Sequence, residues 1–189
     1  MSIIDLQPKR PQDMYRHHGD HLTRWHHPDR AAILAPALDQ TKAVMQDFPH
    51  HYRCIATANA DQSRVRISSQ GLGDLITDAP SEFGGPGDQW SPEALLIAAV
   101  ADCFVLTFRA MAAPSQITWY ALDCDATGTL ERVNRATQFT TIQLAVRISV
   151  PDEMEEEKVL RVLKKAEETC LITNSLIATV TLAVDITCQ

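Results

Sequence analysis

The sequence predicts an α+β fold in the order βββ-α-ββ-α(α)-β, with short strands before a central apolar helix and longer strands after it. Three observations carry that reading. Over residues 94–108 the only charged side chain is Asp102, so a helix there is apolar on nearly every face and needs protein around it. Over residues 139–150 Ile142, Leu144, Val146, Ile148 and Val150 alternate with Thr141, Gln143, Arg147 and Ser149, the period of a half-buried strand. Ahead of the helix, three short runs are separated by Ala-Asp-Gln and Gln-Gly-Leu-Gly, residues suited to turns.

The elements follow in order. Residues 1–48 read as an extension that carries Pro8, Pro11, Pro28 and Pro36, with a short helix expected within residues 29–48. His17, His18, His21, His26 and His27 lie in it; His17 and His21 are spaced to share a helix face and could bind a divalent metal, but a polar arm packed on the body is the simpler reading. The globular domain spans residues 49–189. Strands are expected over residues 50–60, 63–69 and 74–77, then a sharply bent loop through Gly84, Gly85, Pro86 and Gly87. Lacking the Walker spacing and its Lys, that loop is not a phosphate loop. Ser91 suits the N-cap of the central helix, Pro92 its first position and Glu93 its first turn, where the macrodipole favours an anion. At about 15 apolar residues the run falls short of the roughly 20 that span a bilayer.

After Pro114, residues 118–132 alternate with Tyr120, Leu122, Cys124 and Ala126 on one face, and this strand is expected to form a hairpin with residues 139–150. Acids at 152, 153, 155, 156 and 157 open a second helix, with Lys158, Arg161, Lys164 and Lys165 further along as the dipole prefers. Val159, Leu163, Ala166 and Cys170 form its apolar stripe, which turns Cys170 inward. Thr173-Asn174-Ser175 breaks the helix, and residues 179–187 end the chain as a strand.

A chain of 189 residues with 45% hydrophobic side chains can bury one core, and its net charge of -7 argues against nucleic acid or an anionic membrane as partner. No secretory signal pattern is seen, so the cytoplasm is expected. Five cysteines at 54, 103, 124, 170 and 188 form no C-x-x-C, which disfavours a disulfide scaffold or a zinc knuckle. Two of them, Cys103 and Cys170, face inward from helices 67 positions apart. A buried cysteine is ordinarily a small hydrophobe, the reading kept for Cys54, Cys124 and Cys188.

Gly84-Gly85-Pro86-Gly87, Ser91-Pro92-Glu93-Ala94-Leu95-Leu96, Ala101-Asp102-Cys103-Phe104 and Glu168-Thr169-Cys170-Leu171-Ile172-Thr173-Asn174-Ser175-Leu176 together resemble the two motifs of the OsmC/Ohr family, the osmotically inducible and organic hydroperoxide resistance proteins. The resemblance covers about residues 50–189 and implies an intertwined homodimer, its antiparallel six-stranded sheet wrapped round two central helices per subunit. It further implies a thiol peroxidase for organic hydroperoxides, with Cys103 peroxidatic, Cys170 resolving, Glu93 holding an arginine beside the thiol, no cofactor, and an external dithiol as reductant. The chemistry asks for such groups: about 3% of a free thiol is ionised at pH 7, and lowering its pKa to about 6 gains only about thirtyfold, so a charge-stabilising group must also serve the leaving alkoxide. The loop over residues 77–83 has no arginine, which leaves Arg64 and Arg66 as the candidates; Arg109 falls on roughly the opposite helix face from Cys103. Phe104, Leu106, Phe108, Phe83 and Trp90 are expected to supply an apolar approach to the thiol. Two other readings use the same residues: a noncatalytic or redox-sensing relative that binds an apolar ligand between subunits, and a metal-dependent interaction protein that works through the histidines.

Overall fold

The structure, a computed structural model, describes residues 46–189. The expected extension, its short helix and its five histidines lie outside the described residues except for residues 46–48. The chain divides into two units at His50/His51, and the second holds every element that follows.

The elements are β1 (Ile55–Ala58), β2 (Val65–Ser68), β3 (Leu75–Thr77), α1 (Pro92–Ala112), β4 (Ala121–Val133), β5 (Ala136–Val150), α2 (Glu156–Thr169) and β6 (Thr179–Cys188), with single 3-10 turns at Ser81–Phe83 and Thr173–Ser175. This is the α+β order the sequence predicts. The strands form two three-stranded sheets, β1-β2-β3 and β4-β5-β6. Every pairing is antiparallel except β5 with β6, which is parallel and corrects the expected all-antiparallel sheet. The reason lies in the connection: α2 carries the chain from one end of β5 back to the other, and a strand that follows such a crossover runs the same way as its neighbour.

The β4–β5 hairpin turns through Asn134 and Arg135, whose φ values of 49° and 71° are those of a two-residue turn that matches strand twist. On β5, Ile142, Leu144, Val146, Ile148 and Val150 are all buried, as their alternation predicts. Leu122, Cys124 and Ala126 of β4 pack against the same core, whereas Tyr120 precedes the strand and is exposed. The core is completed by Val100, Phe104, Phe108 and Ala112, one stripe of α1, and by Val159, Leu163 and Ala166 of α2.

Two expectations change here. At 21 residues α1 is long and apolar enough to cross a membrane by length and composition, because it extends past the central run at both ends; its stripe nevertheless lies in the protein core. The helix is also not enclosed by the described residues, since Leu106 is 51% exposed. The β1-β2-β3 sheet is barer still, with every residue of β1 exposed.

Candidate functional site

Ser91 starts α1 by accepting a hydrogen bond from the Ala94 N–H at 3.1 Å, with Pro92 at the first position. The parallel bridge between Thr77 and Trp90, with the Asp78 N–H donating to the Trp90 carbonyl at 3.1 Å, ties the end of β3 to the start of the helix. Cys103 follows in the second half of α1 and is partly buried. Cys170 is the residue after α2 rather than part of it, with extended backbone and a fully buried side chain. The turn beyond it is fixed by its carbonyl, which accepts from the Thr173 hydroxyl and the Asn174 N–H, both at 3.1 Å. The Thr169 hydroxyl, 3.8 Å from the Met111 sulfur, holds the end of α2 to α1.

This packing brings the two thiols together. Burial alone would raise the Cys103 pKa, but the Cys170 thiol, the backbone N–H groups of Ile172 and Leu171 and the Thr107 hydroxyl all face its sulfur and hold it below the ordinary thiol value. Cys170 moves the other way. Its burial and the neighbouring Cys103 outweigh the Thr173 backbone and hydroxyl and keep it protonated. On β4, Cys124 is near Cys170; burial, Asp125 and Cys170 push its pKa up to about 11, so it stays an inert thiol. Thr107 and the two N–H groups were missed by the sequence reading, although Thr107 stands one helical turn from Cys103, a spacing that places both on one face.

The other expected residues lie elsewhere. Arg64 pairs with Asp88 at 3.0 Å and Arg66 with Asp74 at 3.8 Å, all of them about half exposed, and neither is among the groups that set the Cys103 pKa. Glu93 is ten residues before Cys103 on one straight helix, about 15 Å along its axis, so the two cannot touch within a chain. Its Oε2 is buried without a hydrogen-bond partner among the described residues. Glu93 instead lines a cleft of about 560 Å³ with Phe83, Ile97, Leu130 and Phe139. Of the five residues expected around an apolar approach, Phe83 lines this cleft, Leu106 and Trp90 are half exposed, and Phe104 and Phe108 are core residues with no surface at all. Phe108 packs edge-on against Trp119 at 5.7 Å within the core. Among the described residues no three His, Cys, Asp or Glu side chains converge to hold a metal ion.

Residues 85–185, more than half of the chain, match the family of OsmC-like proteins. The chain belongs to that family. An uncharacterised Bacillus subtilis protein, YmaD, is 29% identical over an alignment of 134 positions that covers 67% of this chain and 87% of that protein. An OsmC-like protein of unknown function from Vibrio cholerae has the same fold, with a TM-score of 0.67 at 18% identity over 72% of this chain and all of that one. An organic hydroperoxide resistance protein from Elizabethkingia anophelis, solved with thiocyanate from the crystallisation bound, aligns with a TM-score of 0.61 at 18% identity over 76% of this chain and 100% of its own. The OsmC-like match runs from the glycine-rich loop through Cys103 and Cys170 into β6, so the residues gathered around the thiols are those of the family domain.

Proposed function

We propose that this OsmC-like protein is a thiol peroxidase that reduces organic hydroperoxides with Cys103 as the attacking thiol and Cys170 as the resolving one. The observation that carries the reading is the opposed ionisation of two thiols that face each other: one is held toward thiolate and its neighbour is kept as thiol. The Cys103 thiolate attacks one oxygen of ROOH, the O–O bond breaks, and the alkoxide departs and takes a proton to give ROH. Sulfur is oxidised to the sulfenic acid. Cys170 then condenses with it, releasing water and forming the disulfide before further oxidation. The disulfide carries both oxidising equivalents, so an external dithiol must reduce it by exchange for the next cycle. No cofactor has a role in these steps. The name of the Elizabethkingia relative agrees with an organic peroxide as substrate. A reducing compartment, the cytoplasm, suits five free thiols.

The working form is a homodimer. A half-exposed apolar helix and a sheet whose first strand is exposed along its length, among the described residues, both call for a second copy. Glu93, too far from the Cys103 of its own chain, would serve the site of the other. Turnover of cumene hydroperoxide with a dithiol tests the assignment: Cys103→Ser is expected to abolish it, while Cys170→Ser consumes about one equivalent and then over-oxidises. Wild-type rates in the Cys103→Ser protein would overturn the reading. The cleft beside Glu93 favours a second one, a noncatalytic protein that holds an apolar ligand there, because Cys103 does not line it. That protein would bind its ligand and consume no peroxide.

A further inference from the structure

We propose that Gly128, on the floor of the cleft beside Glu93, sets how wide a hydrocarbon group the site accepts on its hydroperoxide. The inference rests on the peroxidase reading in its dimeric form, where that cleft would stand next to the Cys103 of a second copy and take the hydrocarbon end of ROOH. Gly128 lies on the inward face of β4, along which the side chains shrink from Leu122 through Cys124 and Ala126 to none at all. Ile97 of α1 and Phe139 of β5 fill the space this leaves. A Cβ on Gly128 would overlap the Ile97 δ-methyl and stand 2.8 Å from the nearest carbon of the Phe139 ring, closer than such atoms approach each other. Gly128, Ile97 and Phe139 all line the cleft, so whichever side chain gave way, a wall of the cleft would move.

A second device shapes the same place. The register of β4 and β5 shifts between Thr129 and Leu130: Thr129 pairs with Thr141 but Leu130 with Phe139, which leaves Thr140 as an extra residue in β5. Counted by twos from Ile142, Phe139 would face outward with Thr141 and Gln143. The bulge instead turns it inward opposite Leu130, and both side chains line the cleft. The Thr140 hydroxyl donates to the Glu131 carboxylate across the two strands and holds the bulge in place. Glycine thus makes the room, and the bulge supplies the ring that borders it. At about 560 Å³ the cleft has the size of a small-molecule site. Its wall of Ile97, Leu130 and Phe139 is apolar, which suits the hydrocarbon group of a hydroperoxide rather than the O–O end.

The test compares two tertiary hydroperoxides that differ in one group, cumene hydroperoxide carrying a phenyl where tert-butyl hydroperoxide carries a methyl. In the full-length reduced protein with a dithiol reductant, Gly128→Ala is expected to lower the ratio of kcat/KM for the first to that for the second about tenfold, equivalent to losing the burial of roughly two methylenes. Ile97→Val removes only the methyl that the new Cβ overlaps, so the double variant should recover part of the ratio. A ratio unchanged in Gly128→Ala, or lowered equally in the double variant, would overturn the proposal. If Gly128→Ala folds poorly, Ile97→Phe narrows the cleft from the helix side and is read in its place, with the same expected fall and an unchanged ratio again counting against the proposal. Calorimetric titration with cumyl alcohol, the product of the first substrate, separates the two readings because it needs no turnover. Binding that weakens in Gly128→Ala, in a protein that consumes neither peroxide, would fail the peroxidase reading and keep the inference. Turnover of both peroxides at a ratio that ignores Gly128 would do the reverse.

Discussion

Cys103, Cys124 and Cys170 carry the same side chain and differ in ionisation only through what each one faces. Donors lower the pKa of Cys103, whereas burial, with Asp125 and Cys170 nearby, pushes Cys124 up to about 11. A pH dependence follows from the latter. The folded protein keeps the Cys124 proton above the pH at which the unfolded chain gives it up, so this contribution to stability is complete below about pH 9 and is lost as pH rises to about 11. Cys124→Ala is expected to flatten the alkaline fall in stability across that window, measured by urea midpoints at matched ionic strength. An equally steep fall in the variant would contradict the assignment. At this scale the sequence showed the cysteine pair through its motifs. It did not show Thr107, because a threonine in the middle of a helix reads as filler, nor the Leu171 and Ile172 N–H groups, because no side-chain letter reports which backbone donors are left free.

Among the elements, α1 and β5 were legible because a strong pattern leaves one solution. The alternation from Ile142 to Val150 meets the core as predicted, whereas α1, expected to be apolar on nearly every face, buries one stripe, Val100, Phe104, Phe108 and Ala112. Phe104→Ala should therefore cost about 3–5 kcal/mol, while Ser91→Ala, which removes only the cap bond to the Ala94 N–H, should cost about 1 kcal/mol. Urea unfolding with unchanged slope checks both, and a cap variant that costs as much as the core variant would contradict the hierarchy. The glycine-rich loop belongs to the same argument. A Cβ on Gly85 would sit 1.8 Å from the Ala79 carbonyl oxygen, so Gly85→Ala must displace the backbone that leads into α1. Other elements were hard to read for physical reasons. Alternation in β6 tells which face is buried but carries no strand direction, so its parallel pairing was invisible. The hairpin turn uses Asn134-Arg135, where a glycine in place of Arg135 would have announced it, and the alternation alone puts the strand ends several residues too far apart.

For the whole molecule, the described residues leave exposed the surfaces that the proposed dimer would close. Light scattering is expected to give twice the 21.0 kDa chain mass, and a folded, active monomer would contradict this. In the proposed dimer the apolar side chains beside Glu93, Phe83, Ile97, Leu130 and Phe139, would form the approach in place of Phe104 and Phe108; burial there is worth about 25 cal/mol per Å², so four methylenes of an alkyl hydroperoxide gain about 3 kcal/mol over hydrogen peroxide, a factor of about 200 in kcat/KM if expressed in the transition state. Equal kcat/KM for cumene hydroperoxide and hydrogen peroxide would remove the apolar approach and leave the thiol chemistry standing. That chemistry is the centre of the account, and one measurement reaches it most directly: peptide mapping by mass of the fully reduced wild-type protein after a single equivalent of cumene hydroperoxide. The result expected is a Cys103–Cys170 disulfide in close to stoichiometric yield, with Cys54, Cys124 and Cys188 still free. Peroxide consumed without that bond, or a disulfide that pairs either cysteine with another, would contradict the two-thiol mechanism.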